Sequence, residues 1–278
     1  VVMKEITTSD LTKVLGFNPS AEQLAAIVSP LEPSMIVAGA GTGKTTVMAG
    51  RIAWLIMTQQ IAPDRILGLT FTTKAANELL SRVRSFLPAA LKYLPDESAH
   101  TDLGEPVIST YNAFGSRLLK EHALRLGLEP DARVVVDATR YQLAMRVVCQ
   151  SHYDLGGLGY SPTTAVTELL KLDEQCSNYL VDPNLIIESD IQRLVGLESI
   201  EKKQELTHEM IKTCKKRIEL AKLVMDFRQA KIANDVIDYA DQIRLAAQAA
   251  QNSQAMRDIL KDQFHVVLLD EYQDTSLS

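Results

Sequence analysis

Cysteines and long apolar runs are scarce in this chain, and each shortage excludes a class of protein. Only 3 of the 278 residues are cysteines, and their wide spacing excludes a local zinc knuckle. So few cysteines fit a reducing compartment, and we expect a cytoplasmic protein. No apolar run approaches the roughly 18 residues that a membrane span needs. The first residues, VVMKEITTSDL, lack the apolar core of a secretory signal, so we expect no membrane partner.

The charge is acidic overall but unevenly distributed. The net charge is −6, from 29 Lys and Arg residues against 35 Asp and Glu residues, which argues weakly against nonspecific binding of nucleic acid. Residues 202–231, however, hold nine Lys/Arg against four Asp/Glu, a local balance of +5. Two interpretations of this basic stretch stay open: a solvated helix face with paired charges, or a surface that contacts a phosphate backbone.

Apolar segments alternate with amphipathic helices near the start of the chain, which is typical of a parallel sheet covered by helices. The segments predicted as strands are MIVAGAG (35–41), RILGLTFT (65–72), PVISTYN (106–112) and FHVVLLDE (264–271). A polar excursion at 91–104 and a long helical stretch at 126–234 interrupt the alternation. The simplest account is an α/β domain that carries a mostly helical insertion.

The stretch MIVAGAGTGKTT (35–46) is the strongest local signal in the sequence. Its glycines allow positive φ angles, so that main-chain N–H groups can crowd around an anion. The helix predicted after Lys44 would direct the positive end of its dipole at the same anion. A P-loop of this kind predicts that Lys44 reaches the β- and γ-phosphates of a nucleotide and that Thr45 ligates Mg²⁺.

Two carboxylates follow the last predicted strand. Asp270 stands where VVLLDE leaves the strand, which suits a contact with Mg²⁺ through water. Glu271 suits a general base that orients an attacking water molecule. The carboxyl ends of parallel strands meet at one edge of a sheet, so we expect these carboxylates on the same edge as the P-loop. Together the two motifs favour a nucleoside triphosphatase.

The chain resembles the superfamily 1 DNA helicases of the UvrD, Rep and PcrA type almost from end to end. The segments that carry the resemblance are NPSAEQ (18–23), AGAGTGKTT (38–46), LTFTTKAANELLSRV (69–83), ISTYNAFGSRLL (108–119) and LLDEYQDTS (268–276). In this order they are similar to the family's Q motif and motifs I, Ia, Ib and II. DVIDYADQIRLA (235–246) also resembles the family helix that leads back towards motif II.

The resemblance implies roles for individual residues. Those implied in ATP binding are Gln23, which would read adenine, and Ala40, Gly41, Thr42, Gly43, Lys44, Thr45 and Thr46. Those implied in catalysis are Lys44, Asp270, Glu271 and Gln273, with Thr45 and Asp270 as magnesium ligands. Those implied in contacts with single-stranded DNA are Thr70, Phe71, Thr72, Lys74, Thr110, Tyr111 and Asn112. Phe71 offers a ring on which a base can stack, although without the motif it would be interpreted as a core aromatic.

The architecture that the resemblance implies is a RecA-like P-loop domain, 1A, with an inserted mostly helical domain, 1B. We assign 1–90, 105–125 and 235–278 to domain 1A, and 91–104 and 126–234 to domain 1B. Domain 1B contacts duplex DNA in the family, which adds weight to a backbone-contact surface in the basic stretch. The expected partners are single-stranded and duplex DNA, and the expected cofactors are ATP and Mg²⁺.

In the family, motifs III to VI and a second RecA-like domain, 2A, follow motif II. The resemblance therefore implies that this chain is the N-terminal part of a longer helicase, with the C-terminal domains of the same polypeptide as partners. Arginines from domain 2A would be needed for turnover, and such arginines are worth on the order of 10³–10⁵ in rate. Two alternatives stay open: a complete single-domain P-loop NTPase or kinase, and a noncatalytic DNA-binding module with a relic nucleotide site.

Overall fold

The computed structural model describes residues 6–39, 41–94, 104–123, 132–155, 159–201 and 204–275. The chain forms two compact units. The first comprises Val1–Phe114 and Ser253–Thr275, and the second comprises Gly115–Asn252 and Ser276–Ser278. None of the helices in the described ranges combines the length and apolar character that crossing a membrane requires.

Eleven α-helices, two short 3₁₀ helices (Pro63–Arg65 and Tyr272–Asp274) and five strands make up the regular structure of the described ranges. The helices are α1 (Thr8–Leu15), α2 (Ala21–Ile27), α3 (Lys44–Met57), α4 (Thr73–Leu91), α5 (Tyr111–His122), α6 (Asp137–Gln150), α7 (Pro162–Asn178), α8 (Pro183–Glu198), α9 (Glu205–Ala233), α10 (Tyr239–Asn252) and α11 (Gln254–Gln263). The strands are β1 (Ile66–Thr70), β2 (Val107–Thr110), β3 (Arg133–Val134), β4 (Val236–Ile237) and β5 (Val266–Leu269).

Three parallel strands form the sheet of the first unit, in the order β2–β1–β5. Thr70 of β1 is level with Thr110 of β2, and Leu69 of β1 is level with Leu269 of β5. The carboxyl ends of the three strands therefore lie at one edge of the sheet. A parallel sheet combined with many helices confirms the predicted α/β class.

The strand predicted at MIVAGAG (35–41) is wrong, because the structure has no strand at residues 33–39. Val37 is 87% exposed, and Met35 and Ile36 are exposed too. A strand forms only where a neighbour satisfies its main-chain N–H and C=O groups. Within the described ranges the sheet ends at β5, and this segment pairs with none of its three strands.

The core of the first unit lies between its sheet and helices α1, α3 and α4. Ile52, Leu55 and Ile56 of α3 are fully buried in it, which agrees with the amphipathic pattern of that helix. Helix α4 begins at Thr72, whose Oγ1 accepts a hydrogen bond from the N–H of Ala75 over 3.1 Å. The chain therefore changes from strand to helix within a few residues of the edge where β1 ends.

The second unit is mostly helical and contains the short parallel pair β3–β4. Phe227 and Leu223 of α9 are fully buried in its core with Leu169 of α7. Helices α8 and α9 are joined by buried Asp190, whose carboxylate accepts hydrogen bonds of 2.8 and 2.6 Å from Arg217. The long helical stretch predicted at 126–234 is thus present as α6 to α9, with β3 as a short addition.

The bounds of the two compact units differ from the predicted domain bounds. The units change at Phe114 and at Asn252, whereas the sequence assigns the inserted domain to 91–104 and 126–234. Residues 95–103 and 124–131 lie outside the described ranges. The division into domains 1A and 1B therefore stays a prediction.

Candidate functional site

The glycine-rich loop (residues 38–43) leads directly into helix α3. Gly41 and Gly43 have φ angles of 77° and 89°, a region that glycine adopts without the strain a side chain would cause. A Cβ atom at Gly43 would lie only 2.9 Å from Nε2 of Gln23. Ala40 lies outside the described residues. The loop therefore has the positive φ angles that its glycines predict, and a side chain at Gly43 would also displace the Gln23 amide.

Lys44 is the first residue of α3, and its side chain folds back over the glycine-rich loop. Its Nζ donates hydrogen bonds to the carbonyls of Ala38 and Gly39, over 3.3 and 3.4 Å. Thr45 follows in the first helical turn and is partly buried. A cation, a helix N-terminus and a loop of glycines thus meet at one point, and this combination favours the binding of an anion.

Gln23 is held against the same loop by both ends of its side-chain amide. Its Oε1 accepts from the N–H of Ser20 over 3.0 Å, which completes a capping box at the start of α2. Its Nε2 donates to the carbonyl of Thr42 over 2.9 Å. Helix α2 therefore presents Gln23 directly to the loop that precedes α3.

Asp270 and Glu271 follow β5 at the carboxyl edge of the sheet. Asp270 continues the pairing with β1, since its N–H donates to the carbonyl of Leu69 over 2.8 Å. Burial raises the pKa of the Asp270 carboxyl; the nearby Glu271 carboxylate adds to the increase, while the Glu271 N–H and the charge of Lys44 oppose it. The charge of Lys44 is thus the weakest of the four influences on the pKa of the Asp270 carboxyl, and burial is the strongest.

The chain turns sharply after Asp270. Glu271 has a φ angle of 50°, which is uncommon for a residue other than glycine and is enriched at functional sites. Its Oε2 accepts a hydrogen bond from Nε2 of Gln273. The carboxylate predicted as a general base and the amide predicted to sense the γ-phosphate are therefore in direct contact.

Tyr111 stands where β2 passes into α5, at the same edge of the sheet. Its hydroxyl donates to the main-chain carbonyl of Asp270 over 3.1 Å. Burial, followed by the charges of Asp270 and Tyr272, raises the pKa of the phenol to about 12. The sequence predicts a DNA contact for Tyr111, and in the structure its hydroxyl supports the residue predicted to hold magnesium.

The residues predicted to contact DNA differ in exposure. Phe71 is 56% exposed, so its interpretation as a core aromatic is wrong. Lys74 and Asn112 are exposed as well. Thr70, by contrast, is fully buried, and its Oγ1 donates to the carbonyl of Thr72 over 3.1 Å. Thr70 therefore shapes the turn after β1 from the inside.

Thr72 and Thr110 have comparable local roles at the ends of their strands. Thr72 caps α4, and Oγ1 of Thr110 accepts a hydrogen bond from the N–H of Ala113 over 3.1 Å. Each threonine thus satisfies a main-chain N–H at the start of a helix. The two turns that follow β1 and β2 are therefore built in the same way, on neighbouring strands.

Sequence reasoning missed Arg82, which reaches the first turn of α3 from helix α4. Its Nη1 donates to Oγ1 of Thr46 over 2.5 Å, and its Nη2 pairs with Glu78 over 2.8 Å. The only signal in the sequence is the spacing of four residues between Glu78 and Arg82, which is common on any helix. Thr46, which the resemblance implies in ATP binding, is therefore contacted by an arginine from another helix.

The basic stretch at 202–231 is largely paired within the second unit. The ion pairs are Lys215–Glu198, Arg217–Asp190, Lys222–Glu219, Arg228–Asp173, and Lys231 with Asp173, Asp238 and Asp241. Lys202 and Lys203 lie outside the described ranges. For the paired residues the structure favours the interpretation as internally balanced charges.

Comparison with protein families identifies the chain. Residues 19–278 match the model of the UvrD/REP helicase N-terminal domain. Because this match covers nearly the whole chain, the protein belongs to that family.

Several curated relatives are similar over the same region. A probable DNA helicase II homolog of Mycoplasma capricolum is 27% identical over 92% of this chain and 30% of its own length. The ATP-dependent DNA helicase PcrA of Staphylococcus epidermidis is 25% identical over 93% of this chain and 30% of its own length. DNA helicase II of Haemophilus influenzae is 33% identical over 52% of this chain and 19% of its own length. The chain therefore spans less than a third of the length of these relatives.

Proposed function

We propose that this chain is the ATP-binding, N-terminal part of an ATP-dependent DNA helicase. The observation that supports this most is the geometry of the glycine-rich loop, where Gly41 and Gly43 have positive φ angles and Lys44, the first residue of α3, bonds back to the carbonyls of Ala38 and Gly39. The family and its helicase relatives supply the reaction class. Hydrolysis of ATP would be coupled to movement along single-stranded DNA and to separation of a duplex.

The residues at the site fit Mg·ATP by their chemistry. The main-chain N–H groups of the glycine-rich loop and Lys44 would hold the phosphates. Ala40 and Thr46 would be the first and last residues of this ATP-binding segment. Thr45 and Asp270 would hold Mg²⁺, which supplies charge neutralisation at the phosphates when it is bound. Gln23 would read the edge of adenine, since its amide can both donate and accept a hydrogen bond.

Water is the proposed nucleophile in this reaction. Glu271 would accept a proton from the water that attacks the γ-phosphorus, and the products would be ADP and inorganic phosphate. Gln273 already contacts Glu271, so it is well situated to couple the state of the γ-phosphate to the base. Residues 1–90, 105–125 and 235–278 would form a RecA-like domain 1A, and residues 91–104 and 126–234 would form domain 1B.

Single-stranded DNA is the proposed substrate along which the protein moves. The ring of Phe71 is exposed, so a DNA base could stack on it. Lys74 is exposed as well, so its ammonium group could neutralise one phosphate of the same DNA strand. Thr110, at the end of the neighbouring strand β2, is level with Thr70, and Asn112 follows it in the first turn of α5. Duplex DNA would meet domain 1B, through those of its cations that are not paired internally.

Calorimetric titration with Mg·ATP tests the nucleotide site. The Lys44→Ala variant is expected to lose detectable binding, because it loses the charge that meets the β- and γ-phosphates. Lys92→Ala, which removes an exposed lysine at the end of α4, is the matched control and keeps the affinity. Equal affinity in the Lys44→Ala variant would rule out the proposed loop.

Steady-state hydrolysis tests the proposal that further domains complete the catalytic unit. With saturating single-stranded DNA, residues 1–278 are expected to hydrolyse ATP close to the background rate, since the family's catalytic arginines come from domain 2A. Addition of the domains that follow motif II in the family should raise the rate by orders of magnitude. Strong stimulation of residues 1–278 alone would instead favour a complete single-domain NTPase.

A further inference from the structure

Helix α2 carries Gln23 and is too short to hold its own position. It has 7 residues, and isolated helices shorter than about 12 residues are marginal in water. Its place beside the glycine-rich loop must therefore come from contacts with the rest of the first unit. Helix α3 supplies two such contacts, at adjacent residues.

Arg51 of α3 makes the polar contact, at the C-terminal end of α2. Its guanidinium group donates to three main-chain carbonyls, with Nη1 bonded to Ile27 at 2.9 Å and to Ser29, and Nη2 bonded to Pro30 at 2.9 Å. Arg51 is only 9% exposed. A buried cation at the carbonyl end of a helix satisfies otherwise free acceptors and interacts favourably with the helix dipole.

Gly50 makes the apolar contact, beside Arg51. A Cβ atom at this position would lie 2.7 Å from Cδ1 of Ile27, and Ile27 is fully buried. A side chain at residue 50 would therefore force the buried Ile27 side chain to move. The two adjacent residues of α3 thus fix the same residue of α2, one through its carbonyl and the other through its side chain.

Ile27 and Gln23 are four residues apart and therefore lie on the same face of α2. Ile27 is fixed by α3, and Gln23 is bonded to the carbonyl of Thr42 in the glycine-rich loop. A shift or rotation of α2 at its C-terminal end would move the Gln23 amide relative to that loop. The contacts of Ile27 with α3 therefore set the position at which the Gln23 amide can bind a ligand.

We infer that Arg51 is a positioning residue for base selectivity, acting through helix α2 on Gln23. The inference rests on the proposed function, in which Gln23 reads adenine. Lysine cannot substitute for Arg51, since one ammonium group lacks the planar fork that reaches several carbonyls at once. Arg51 itself has no role in holding the phosphates, which are left to the glycine-rich loop and Lys44.

The test compares three ligands in calorimetric titrations of residues 1–278: Mg·ATP, Mg·GTP and inorganic tripolyphosphate. In the Arg51→Lys variant the ratio of ATP affinity to GTP affinity is expected to fall by about three- to tenfold, the worth of one hydrogen bond. The affinity for tripolyphosphate stays the same. Gln23→Ala should lower the ratio by the same factor, and the double variant should lower it no further.

Two further variants separate positioning from general damage. Val83→Ala creates a cavity in the core on α4, where Val83 is fully buried, and should keep the wild-type ratio despite its lower stability. Gly50→Ala displaces Ile27 without changing Arg51 and should lower the ratio as Arg51→Lys does. If circular dichroism shows that Arg51→Lys does not fold, the Gly50→Ala variant decides whether the anchor at Ile27 sets the base selectivity.

The possible failures are distinguishable. The positioning role alone is overturned if the ratio of ATP affinity to GTP affinity falls in Gln23→Ala but keeps its wild-type value in both Arg51→Lys and Gly50→Ala. Additive losses in the double variant, or an equal loss of tripolyphosphate affinity, overturn it as well. A wild-type chain with no preference for ATP overturns both this inference and the proposed reading of adenine, whereas Lys44→Ala still tests the phosphate site separately.

Discussion

The hydroxyl of Tyr111 donates a hydrogen bond to the main-chain carbonyl of Asp270, over 3.1 Å. This bond joins the turn after β2, which is proposed to contact DNA, to the residue proposed to hold magnesium. A displacement of the turn by a bound strand would therefore be felt at Asp270. The two proposed sites are connected through one phenol, and this connection can be removed by the loss of a single hydroxyl group.

Tyr111→Phe is expected to weaken the binding of Mg·ATP by about three- to tenfold, because it removes one hydrogen bond that orients Asp270. Binding of ATP in the presence of EDTA should be unchanged, since Asp270 acts through the metal. Tyr93→Phe is the matched control, as it removes a phenol that bonds Asp10 over 3.4 Å elsewhere in the first unit. Calorimetry measures both affinities, and an equal loss with and without Mg²⁺ would contradict the proposed role.

Phe71→Ala is expected to reduce the affinity for an oligothymidine, measured by fluorescence anisotropy. The loss of one stacked base is worth about 1–3 kcal/mol. The dependence on salt should be shallow and unchanged in the variant, because stacking displaces no counterions. Tyr179→Ala removes an equally exposed aromatic in the second unit and should leave the affinity as it is. An unchanged affinity in Phe71→Ala would exclude the stacking role.

Lys231→Met is expected to destabilise the second unit strongly. Lys231 lies inside the unit, and its ammonium group contacts Asp173, Asp238 and Asp241 at 3.1, 3.0 and 2.7 Å. Removal of one partner from a buried ionic cluster costs about 3–5 kcal/mol, since the remaining charges stay buried without compensation. Urea denaturation followed by circular dichroism gives the free energy of unfolding.

Lys212→Met is the control for this measurement, because Lys212 is an exposed residue of the same helix. It should change the free energy of unfolding by less than about 0.5 kcal/mol. A loss in Lys231→Met no larger than in this control would mean that the ionic cluster adds little to stability.

Acid should reduce the stability that the ionic cluster around Lys231 provides, within a defined range of pH. Burial by itself would raise the pKa of Asp241, but the charges of Lys231 and Arg244 lower it from 3.8 to about 2. A carboxyl whose pKa is lowered by folding contributes stability above its ordinary pKa and loses it as the pH falls through the lowered value. The free energy of unfolding should therefore decline between about pH 4 and pH 2.

Asp241→Asn should make this decline shallower, because the group that titrates is absent. Asp10 also has a pKa lowered to about 2, by side-chain and main-chain hydrogen bonds with Thr7, but it lies in the first unit. Acid titrations should therefore compare the fluorescence of Trp54, which reports on the first unit, with circular dichroism, to which the helices of both units contribute. A change in circular dichroism without a change in fluorescence belongs to the second unit. An identical acid response in wild type and Asp241→Asn would contradict the assignment.

Local chemistry predicted the glycine-rich loop and the start of the helix that follows it. Gly41 and Gly43 have positive φ angles, and α3 begins at Lys44, because these features depend on neighbours only a few residues away. The strand predicted at MIVAGAG failed for the opposite reason. Apolar residues at 35–37 indicate a segment fit for a sheet, but pairing depends on a neighbouring strand, which the hydropathy of the segment does not describe.

Contacts between residues that are far apart in the chain could not be predicted from the sequence, for a similar reason. The bond from Lys231 to Asp173 joins residues 58 positions apart, so counting charges along 202–231 counts a buried lysine as surface charge. Arg51 looked like an ordinary helical arginine, and only its three carbonyl partners show where its guanidinium group lies. The role of a charged side chain depends on its burial and on partners that are distant in the chain. Neither of these leaves a recognisable pattern in the neighbouring sequence.

The outer strand of the sheet also affects how the protein behaves in concentrated solution. Val267 and Leu269 of β5 are exposed, and the far side of this strand pairs with none of the described strands. A bare apolar strand edge is a template for β-pairing with another molecule, which natural proteins usually protect with charges or proline. We therefore expect self-association that grows with protein concentration, so the titrations are best made dilute, with light scattering monitored alongside.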